Sequence, residues 1–338
     1  MHFDSLLSLY CGPGGLDLGF ERAGFSIRLA IDRNPNSVAT YNHNREGYSV
    51  GSVGDLSTIR AEDLDKIAGG RLEPGGVIGG PPCQSFSQSN RNPQDDDPRH
   101  ELPMKFSMLL SQLNRRRHIP FFMLENVPSL ARPPHDALFR DLLVSLSTAG
   151  FAVGYAVLNA KFFGVPQNRE RLIVVGFNSA LFPGLVWAPP NPVSAPDPAV
   201  ISVRSAIWGL PEPARYHKSL SAVDIPHHPN HWCMAPKSAK FFNEGALAPG
   251  RTQSRSFKTL TWEKPSITVA YGNREVHIHP ECKRRLSVYE AMKLQGFPDD
   301  YELLGSLSSQ INQVSEAVPP PLAEAVARSI VDQIRSAG

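Results

Sequence analysis

A cysteine in a proline-bounded loop and a carboxylate one apolar run further on are the residues of this chain best spaced for chemistry. Cys83 stands in Val77-Ile78-Gly79-Gly80-Pro81-Pro82-Cys83-Gln84-Ser85-Phe86-Ser87, just after a run that reads as a strand. Glu125 stands in Leu124-Glu125-Asn126-Val127, after the next such run. A thiolate that adds to a ring carbon, opposite a carboxyl that protonates the same ring, is a complete reaction design. Taken alone, Cys83 reads more readily as a small buried structural thiol than as a nucleophile. A third group is Gln167-Asn168-Arg169-Glu170-Arg171, ahead of the apolar run Leu172-Ile173-Val174-Val175. Read as a strand, Gln167, Arg169 and Arg171 share one face. Three long polar groups there could bind phosphate or a base carbonyl; a solvated edge strand is the alternative.

These residues need a frame, and the first 177 positions supply one. Apolar strand-like runs at Leu6–Tyr10, Ile27–Ile31, Val77–Ile78, Phe121–Leu124, Ala152–Leu158 and Leu172–Phe177 interleave with helical spacing. The helical stretches are Leu16–Ala23, a segment through Val38 and Tyr41, Lys105–Leu113 and Ala137–Ala149. This alternation predicts an α/β fold with a doubly wound, mainly parallel sheet, which binds ligands at the carboxyl ends of its strands. Gly12, Asp32, Asp55, Cys83 and Glu125 all follow predicted strands, so one rim collects them.

The turn Tyr10-Cys11-Gly12-Pro13-Gly14-Gly15 lets a ligand approach the backbone and a helix N-terminus. It is not G-x-G-x-x-G, so a nucleoside is favoured over a pyrophosphate. Asp32 could accept both ribose hydroxyls or cap the helix that begins near Asn34. Asp55 could meet an adenine amino group, although a turn aspartate is the plainer reading.

Composition bounds the rest. The chain has 338 residues, 41% hydrophobic and 20% charged, with a formal net charge of +2. No run approaches the ~18 apolar residues of a membrane span, and Met1–Leu7 lacks a basic stretch followed by a long apolar core, so a secretory signal is not expected. Cys11, Cys83, Cys233 and Cys282 lie far apart without CxxC spacing, which points to a reducing cytosol. Past Asn178 prolines crowd the chain at 183, 189, 190, 192, 196 and 198 and break regular structure. Helical patterning returns at Arg284–Gln295 and Pro321–Ile334. The expected domains are 1–177 for catalysis and cofactor, a smaller irregular 178–258, and 259–338 completing the first.

In these motifs the chain resembles the cytosine-C5 DNA methyltransferases of bacterial restriction–modification systems. The likeness covers most of the chain in the family's motif order. It includes the Gly-rich turn, Pro82-Cys83-Gln84, Glu125-Asn126-Val127 and Gln167-x-Arg169-x-Arg171. Arg255–Thr261, Leu294-Gln295-Gly296-Phe297-Pro298-Asp299-Asp300-Tyr301 and Ala317-Val318-Pro319-Pro320 follow. The resemblance implies a class I methyltransferase fold and S-adenosylmethionine as methyl donor. It implies that Cys83 adds to C6 of a cytosine flipped from double-stranded DNA. Glu125 would contact N3 and the exocyclic amine, Arg171 the cytosine O2, and Arg169 would orient Glu125. Cofactor contacts would fall on Tyr10, Gly12, Gly14, Gly15, Asp32, Arg33, Asp55, Leu56, Pro82, Leu102 and Glu316. The loop from Gln84 to Leu102 would close over DNA, with Gln84, Ser87, Ser89 and Arg99 touching it. A monomer in the cytoplasm, associated with the nucleoid, with no membrane contact and a separately acting cognate endonuclease, completes the implied picture. One departure is clear: Glu316 stands where the family carries asparagine beside the cofactor.

The middle region is basic. Residues 204–258 hold eight Lys/Arg against three acids, the footprint expected of phosphate contact. By position it resembles a target recognition domain, with Arg251 and Arg255 as DNA contacts. His227, His228, His231 and Cys233 lack regular metal-ligand spacing, so base and phosphate contacts are expected of them and no metal. A tRNA cytosine methyltransferase is the nearest rival, but its Cys-Phe-Thr segment is absent from the sequence. A nicotinamide oxidoreductase would leave Pro82-Cys83-Gln84 unexplained.

Overall fold

The computed structural model describes residues 3–45, 47, 49–82, 101–192, 201–252, 257–268 and 277–337. They form two compact units, one of residues 1–158, 170–191 and 323–338, the other of residues 159–169 and 192–322.

The first unit alternates strand and helix as expected: β1 (Ser5–Leu9), α1 (Gly15–Arg22), β2 (Ser26–Asp32), α2 (Pro35–His43), β3 (Gly51–Val53), α3 (Ala61–Ile67), β4 (Gly76–Gly79), α4 (Leu102–Arg116), β5 (Phe121–Asn126), α5 (Asp136–Thr148) and β6 (Phe151–Asn159). After the two-residue β7 (Gln167–Asn168), β8 (Glu170–Asn178) completes a seven-stranded sheet in the order β3-β2-β1-β4-β5-β8-β6. The pairs β2–β3, β1–β2, β1–β4 and β4–β5 are parallel, and β8 runs antiparallel to β5. Every residue of β4 and β5 is buried, as strands covered on both faces require. Helix α2 starts where Asn34 caps it, its side chain accepting from the Asn36 amide, with Pro35 in the first turn.

The second unit contains α6 (Val203–Ile207), the strand pair β9 (Ala214–Arg215) and β10 (Trp232–Cys233), and β11 (Ser266–Ile267), which pairs with β7. It also contains α7 (Val288–Gln295) and α8 (Leu307–Glu316), while α9 (Pro320–Ala337) carries the chain back to the first unit from Ala323 onward. Arg284–Ser287 was expected to be helical but precedes α7. Ser287 caps that helix, and Glu290 reaches back to the Ser287 amide in a capping box.

The compact units depart from the expected boundaries at 177 and 258. Residues 178–191 stay with the sheet because Trp187 donates to Ser329 Oγ (3.0 Å) and Ala188 exchanges two bonds with the Gln333 amide (2.9 Å each). Residues 259–322 belong to the second unit because their buried polar groups are satisfied there. Asn230 bonds Leu303 in both directions at 2.8 Å, and Arg284 grips Glu290 through two 2.8 Å contacts.

Beneath the Gly-rich turn lies a buried polar cluster. Ser8 Oγ donates to Asp17 Oδ1 at 2.7 Å, and Arg45 stacks on the Tyr41 ring while pairing with Glu21 at 2.8 and 2.9 Å. Asp17 is fully buried. Burial pushes its carboxyl up to about 6, against the pull of Arg45 and Ser8.

Two outcomes follow for stability. An alanine Cβ at Gly79 would sit 2.5 Å from the Leu9 carbonyl oxygen, a backbone atom in the neighbouring strand. Gly79→Ala should therefore cost about 2 kcal/mol by urea unfolding; unchanged stability would mean that β1 and β4 can separate freely. The Asp17 carboxyl titrates near ~3.9 when unfolded and near about 6 when folded. Its stabilising proton is fully bound below the lower value and lost as pH rises through the upper one. Asp17→Asn, which cannot titrate, should gain about 2 kcal/mol on the parent between about pH 4 and 7. A pH-independent difference would contradict a proton on Asp17.

Candidate active site

The order β3-β2-β1-β4-β5 reverses direction between β1 and β4, and a doubly wound sheet opens its ligand crevice at such a point. Two loops leave the carboxyl ends there: Tyr10–Gly14 after β1 and Gly80–Pro82 after β4. Because β8 is antiparallel to β5, the start of β8 reaches the same rim as the end of β5.

The first loop is built from left-handed residues, with φ +57° at Tyr10, +54° at Gly12 and +92° at Gly14. Such a conformation is costly for tyrosine and natural for glycine. Nothing lies within 4 Å of where a Cβ on Gly12 would project. Asp32, at the end of β2, ties the loop down: Oδ2 accepts from the Gly12 amide (2.9 Å) and Oδ1 from the Asn34 amide (2.8 Å). Asn34, and not Asp32, is the cap of α2. A carboxylate offers about four acceptor sites, so Asp32 keeps acceptor capacity beyond these backbone amides. Burial raises its carboxyl, and the Asn34 and Gly12 amides oppose that shift. The Tyr10 hydroxyl lies 3.4 Å from the Leu102 carbonyl at the start of α4, and burial together with Asp55 pushes that phenol up.

Other expected cofactor residues take varied positions. Gly15 opens α1, and Leu56 is buried in the hydrophobic core of the first unit. Arg33 is exposed, and its charge favours the ionised Asp32 and Asp55. Asp55 is a turn aspartate in fact: Oδ1 accepts from the Ser57 hydroxyl (2.7 Å) and amide (2.9 Å), which hold its carboxyl down. Glu316 is an exposed residue at the end of α8 in the second unit.

On the other side of the crevice, Glu125 is nine-tenths buried and its Oε1 lies 2.7 Å from Arg171 Nε. Register explains the pair. Glu125 is opposite Ile173 in the β5–β8 ladder, so Arg171 is its diagonal neighbour on the same face, within reach of a long side chain. Gly80 and Asn126 complete the corner, and neither stood out as a site residue in the sequence. An alanine Cβ at Gly80 would come 3.0 Å from Glu125 Oε2, and Asn126 Nδ2 donates to the Pro81 carbonyl at 3.2 Å. The backbone that leads into Cys83 is thereby anchored to the strand that carries Glu125. The doubled glycine before Pro81 was the available signal for this close approach.

Arg171 sits on Glu125, whereas Arg169 Nη2 donates to the carbonyls of Ser315 (2.9 Å) and Ala317 (3.0 Å). Gln167, fully buried, donates to Gln295 Oε1 at 2.7 Å, and Gln295 donates on to the Ala317 carbonyl at 2.6 Å. The expected single polar face of Gln167, Arg169 and Arg171 is thus divided. The strand is interrupted at Arg169, between β7 and β8, and only Arg171 continues in the sheet.

Cys83, Gln84, Ser87, Ser89, Arg99 and Arg255 lie outside the described residues; Pro82 is the last position described before Cys83, and Arg251 is exposed. The histidines of the middle region are not all placed for DNA. His228 stacks on Tyr289 (4.1 Å), and His231 lies between Ser287 Oγ (3.0 Å) and the Pro211 carbonyl (2.7 Å). Burial pushes His228 down to about 4, leaving it uncharged at neutral pH. Cys233 is likewise buried. These three side chains hold the second unit together and do not reach phosphates.

Among the described residues no helix is long and apolar enough to cross a membrane. The family model for C-5 cytosine-specific DNA methylase matches residues 5–332. Type II methyltransferase M.MthTI of Methanothermobacter thermautotrophicus is 31% identical over 96% of both chains. Type II methyltransferase M.FnuDI of Fusobacterium nucleatum is 29% identical, covering 97% of this chain and 94% of its own. A solved structure of Entamoeba histolytica methyltransferase EhMeth, 14% identical, superposes with a TM-score of 0.68 over 97% and 98% of the chains and supports the fold alone. The chain whose sheet carries this rim, with a carboxylate and an arginine beside the loops after β1 and β4, belongs to the C-5 cytosine-specific DNA methylase family.

Proposed function

We propose that the protein transfers a methyl group from S-adenosylmethionine to C5 of a cytosine flipped out of a specific double-stranded DNA sequence. The observation that carries this reading is the Glu125–Arg171 pair, 2.7 Å apart, beside the anchored Pro81 that precedes Cys83. It combines with membership of a DNA-acting family.

S-adenosylmethionine suits the β1 side of the crevice. The remaining acceptor capacity of Asp32 matches ribose hydroxyls, the open space at Gly12 admits a ligand against backbone, and Tyr10, Gly14, Gly15, Arg33, Leu56, Pro82 and Leu102 would complete its surroundings. When bound, it supplies an electrophilic methyl group. The residues of this chain prepare the acceptor. The Cys83 thiolate forms a bond to C6 of the base, and the electron pair of the C5–C6 double bond moves into the ring. Glu125 acts as the acid towards N3, so the charge does not build up there and C5 becomes nucleophilic. Arg171 holds Glu125 in register and extends a guanidinium to the base carbonyl. Once C5 carries the new methyl, its remaining proton passes to water, the C–H electron pair restores the C5–C6 double bond, Cys83 leaves as a thiolate, and N3 returns its proton to Glu125. Arg169 acts by holding the 315–317 turn, and Glu316 on that turn is proposed to border the donor.

The likeness to type II methyltransferases supports a protective role within a restriction–modification system, with a separate endonuclease as partner. A cytoplasmic monomer acting on nucleoid DNA completes the proposal.

Plasmid DNA incubated with the protein and S-adenosylmethionine, then read by bisulfite sequencing, should show methylated cytosines at one recurrent sequence. The parent should form an adduct with 5-fluorocytosine DNA that resists denaturation, and Cys83→Ala should form none. Glu125→Gln should lower the methylation rate by about 100-fold or more, and Arg171→Lys should lower it at an unchanged melting temperature. Background-level methylation by folded parent protein would remove the proposal.

A further inference from the structure

We infer that Asp17 is a positioning residue for the methyl donor, acting through Ser8: the bond between them fixes the angle at which α1 leaves the Gly-rich turn. The inference rests on the donor-binding role proposed above for that turn. It extends that role to a side chain too deeply buried to touch a ligand.

The turn Tyr10–Gly14 joins β1 to α1 through three left-handed residues. A helix start is commonly fixed by a cap side chain that accepts from a first-turn amide. Here the cap is Gly14, which has no side chain to offer. Backbone bonds hold the turn to itself, from the Gly14 amide to the Cys11 carbonyl (3.0 Å), and to β2, from the Cys11 amide to the Ile31 carbonyl (3.1 Å). A side-chain bond ties β1 to α1: Ser8 Oγ donates to Asp17 Oδ1 at 2.7 Å, and both residues are fully buried. Ser8 precedes the turn and Asp17 follows it, so one short bond closes a ring over the whole turn. Its anchor is firm, because Ser8 sits between Ala30 of β2 and Ile78 of β4 in the parallel ladder.

Packing alone does not account for a carboxyl at this position. Burial pushes Asp17 up to about 6. Arg45 and Ser8 oppose that shift more than Tyr41 does, whose hydroxyl, like Asp17 Oδ2, lacks a hydrogen-bond partner among the described residues. An apolar side chain would fill the space without the desolvation. What the bond preserves is the ligand face of the turn. Asp32 Oδ2 engages the Gly12 amide at 2.9 Å, and open space lies where a Gly12 Cβ would project. A tilt of α1 would carry Gly14, and with it Gly12, out of that register. Binding groups keep their geometry when the bonds behind them lock it.

The test is binding of S-adenosylhomocysteine to full-length protein by titration calorimetry, with urea melts showing each variant folded at the assay temperature. Asp17→Ala and Ser8→Ala should each weaken binding about tenfold, the loss of one buried hydrogen bond to a carboxyl group. The double variant should be no weaker than either single one. Asp17→Asn keeps an acceptor for Ser8 and should bind as the parent does. In methyl transfer the KM for the donor should rise in the alanine variants while kcat holds. A merely structural role would lower the melting midpoint and leave the affinity of the folded protein unmoved. Should Asp17→Ala not fold, Ser8→Ala, which deletes a single oxygen, carries the comparison. Hydrogen exchange of amides 10–14 in the ligand-free protein should be faster in the alanine variants and unchanged in Asp17→Asn. That readout decides the brace without the donor, so a parent that binds no S-adenosylhomocysteine counts against the proposed function alone. The inference is overturned if Ser8→Ala binds as tightly as the parent or leaves exchange unchanged, or if Asp17→Asn is as weak as Asp17→Ala.

Discussion

A carboxylate and a guanidinium meet at the rim of the sheet because β8 runs antiparallel to β5. In a wholly parallel sheet the residues just before Leu172 would lie at the opposite end of the molecule from Glu125. The reversal brings Arg171 to the carboxyl ends of β4 and β5, on the same face as Glu125 and one diagonal step away. Placed there, the arginine can hold the acid and still face whatever enters beside Pro82. Gly80 and Asn126 depend on the same corner, one by leaving space for the carboxylate and the other by tying the Pro81 carbonyl to β5.

The β1 side of the crevice is held by different physics. Its loop adopts a left-handed backbone at three of five positions, and such a conformation persists only when its surroundings fix it. Asp32 does so from the end of β2, and the Ser8–Asp17 bond and the Arg45–Glu21 pair brace the helix behind it. Buried ionisable groups of this kind cost solvation, as the upward shift of Asp17 records. What they provide is a loop whose amides cannot rearrange. The second unit relies on buried polar groups as well, through Arg284 and Glu290 and through Gln295 with the 314–317 carbonyls. These satisfied polar contacts add specificity to apolar packing around residues such as Ile278, Met292 and Leu294.

Much of this was legible in the residues. The apolar runs at Leu6–Leu9, Val77–Ile78 and Phe121–Leu124 are strands because no solvated conformation suits them, and Gly12 and Gly14 mark a turn that only glycine enters cheaply. The short β3 and the helix α3 were missed: three residues of strand leave too little periodicity to see, and Ala61–Ile67 is mostly charged. The polar residues were harder. Arg169 and Arg171 share a strand parity, yet a break at Arg169 commits one to a buried turn and the other to the acid. His228 and His231 look like cationic surface groups in a basic region and are instead buried packing. Arg204 adds to the positive count of that region but is paired with Glu263 at 2.6 Å.

By itself, then, the sequence determined the alternation of the longer strands and helices, the turn after β1, the Pro-bounded loop before Cys83 and the kinds of groups available to the chemistry. Those follow from local backbone freedom and from hydrophobic spacing, which act over a few residues. Only the tertiary structure decided which arginine serves Glu125, which histidines are withdrawn from solvent, and that residues 259–322 fold with the basic middle region. A polar side chain has no preferred partner until strand register and direction bring one within about 3 Å, and neither can be read from spacing alone.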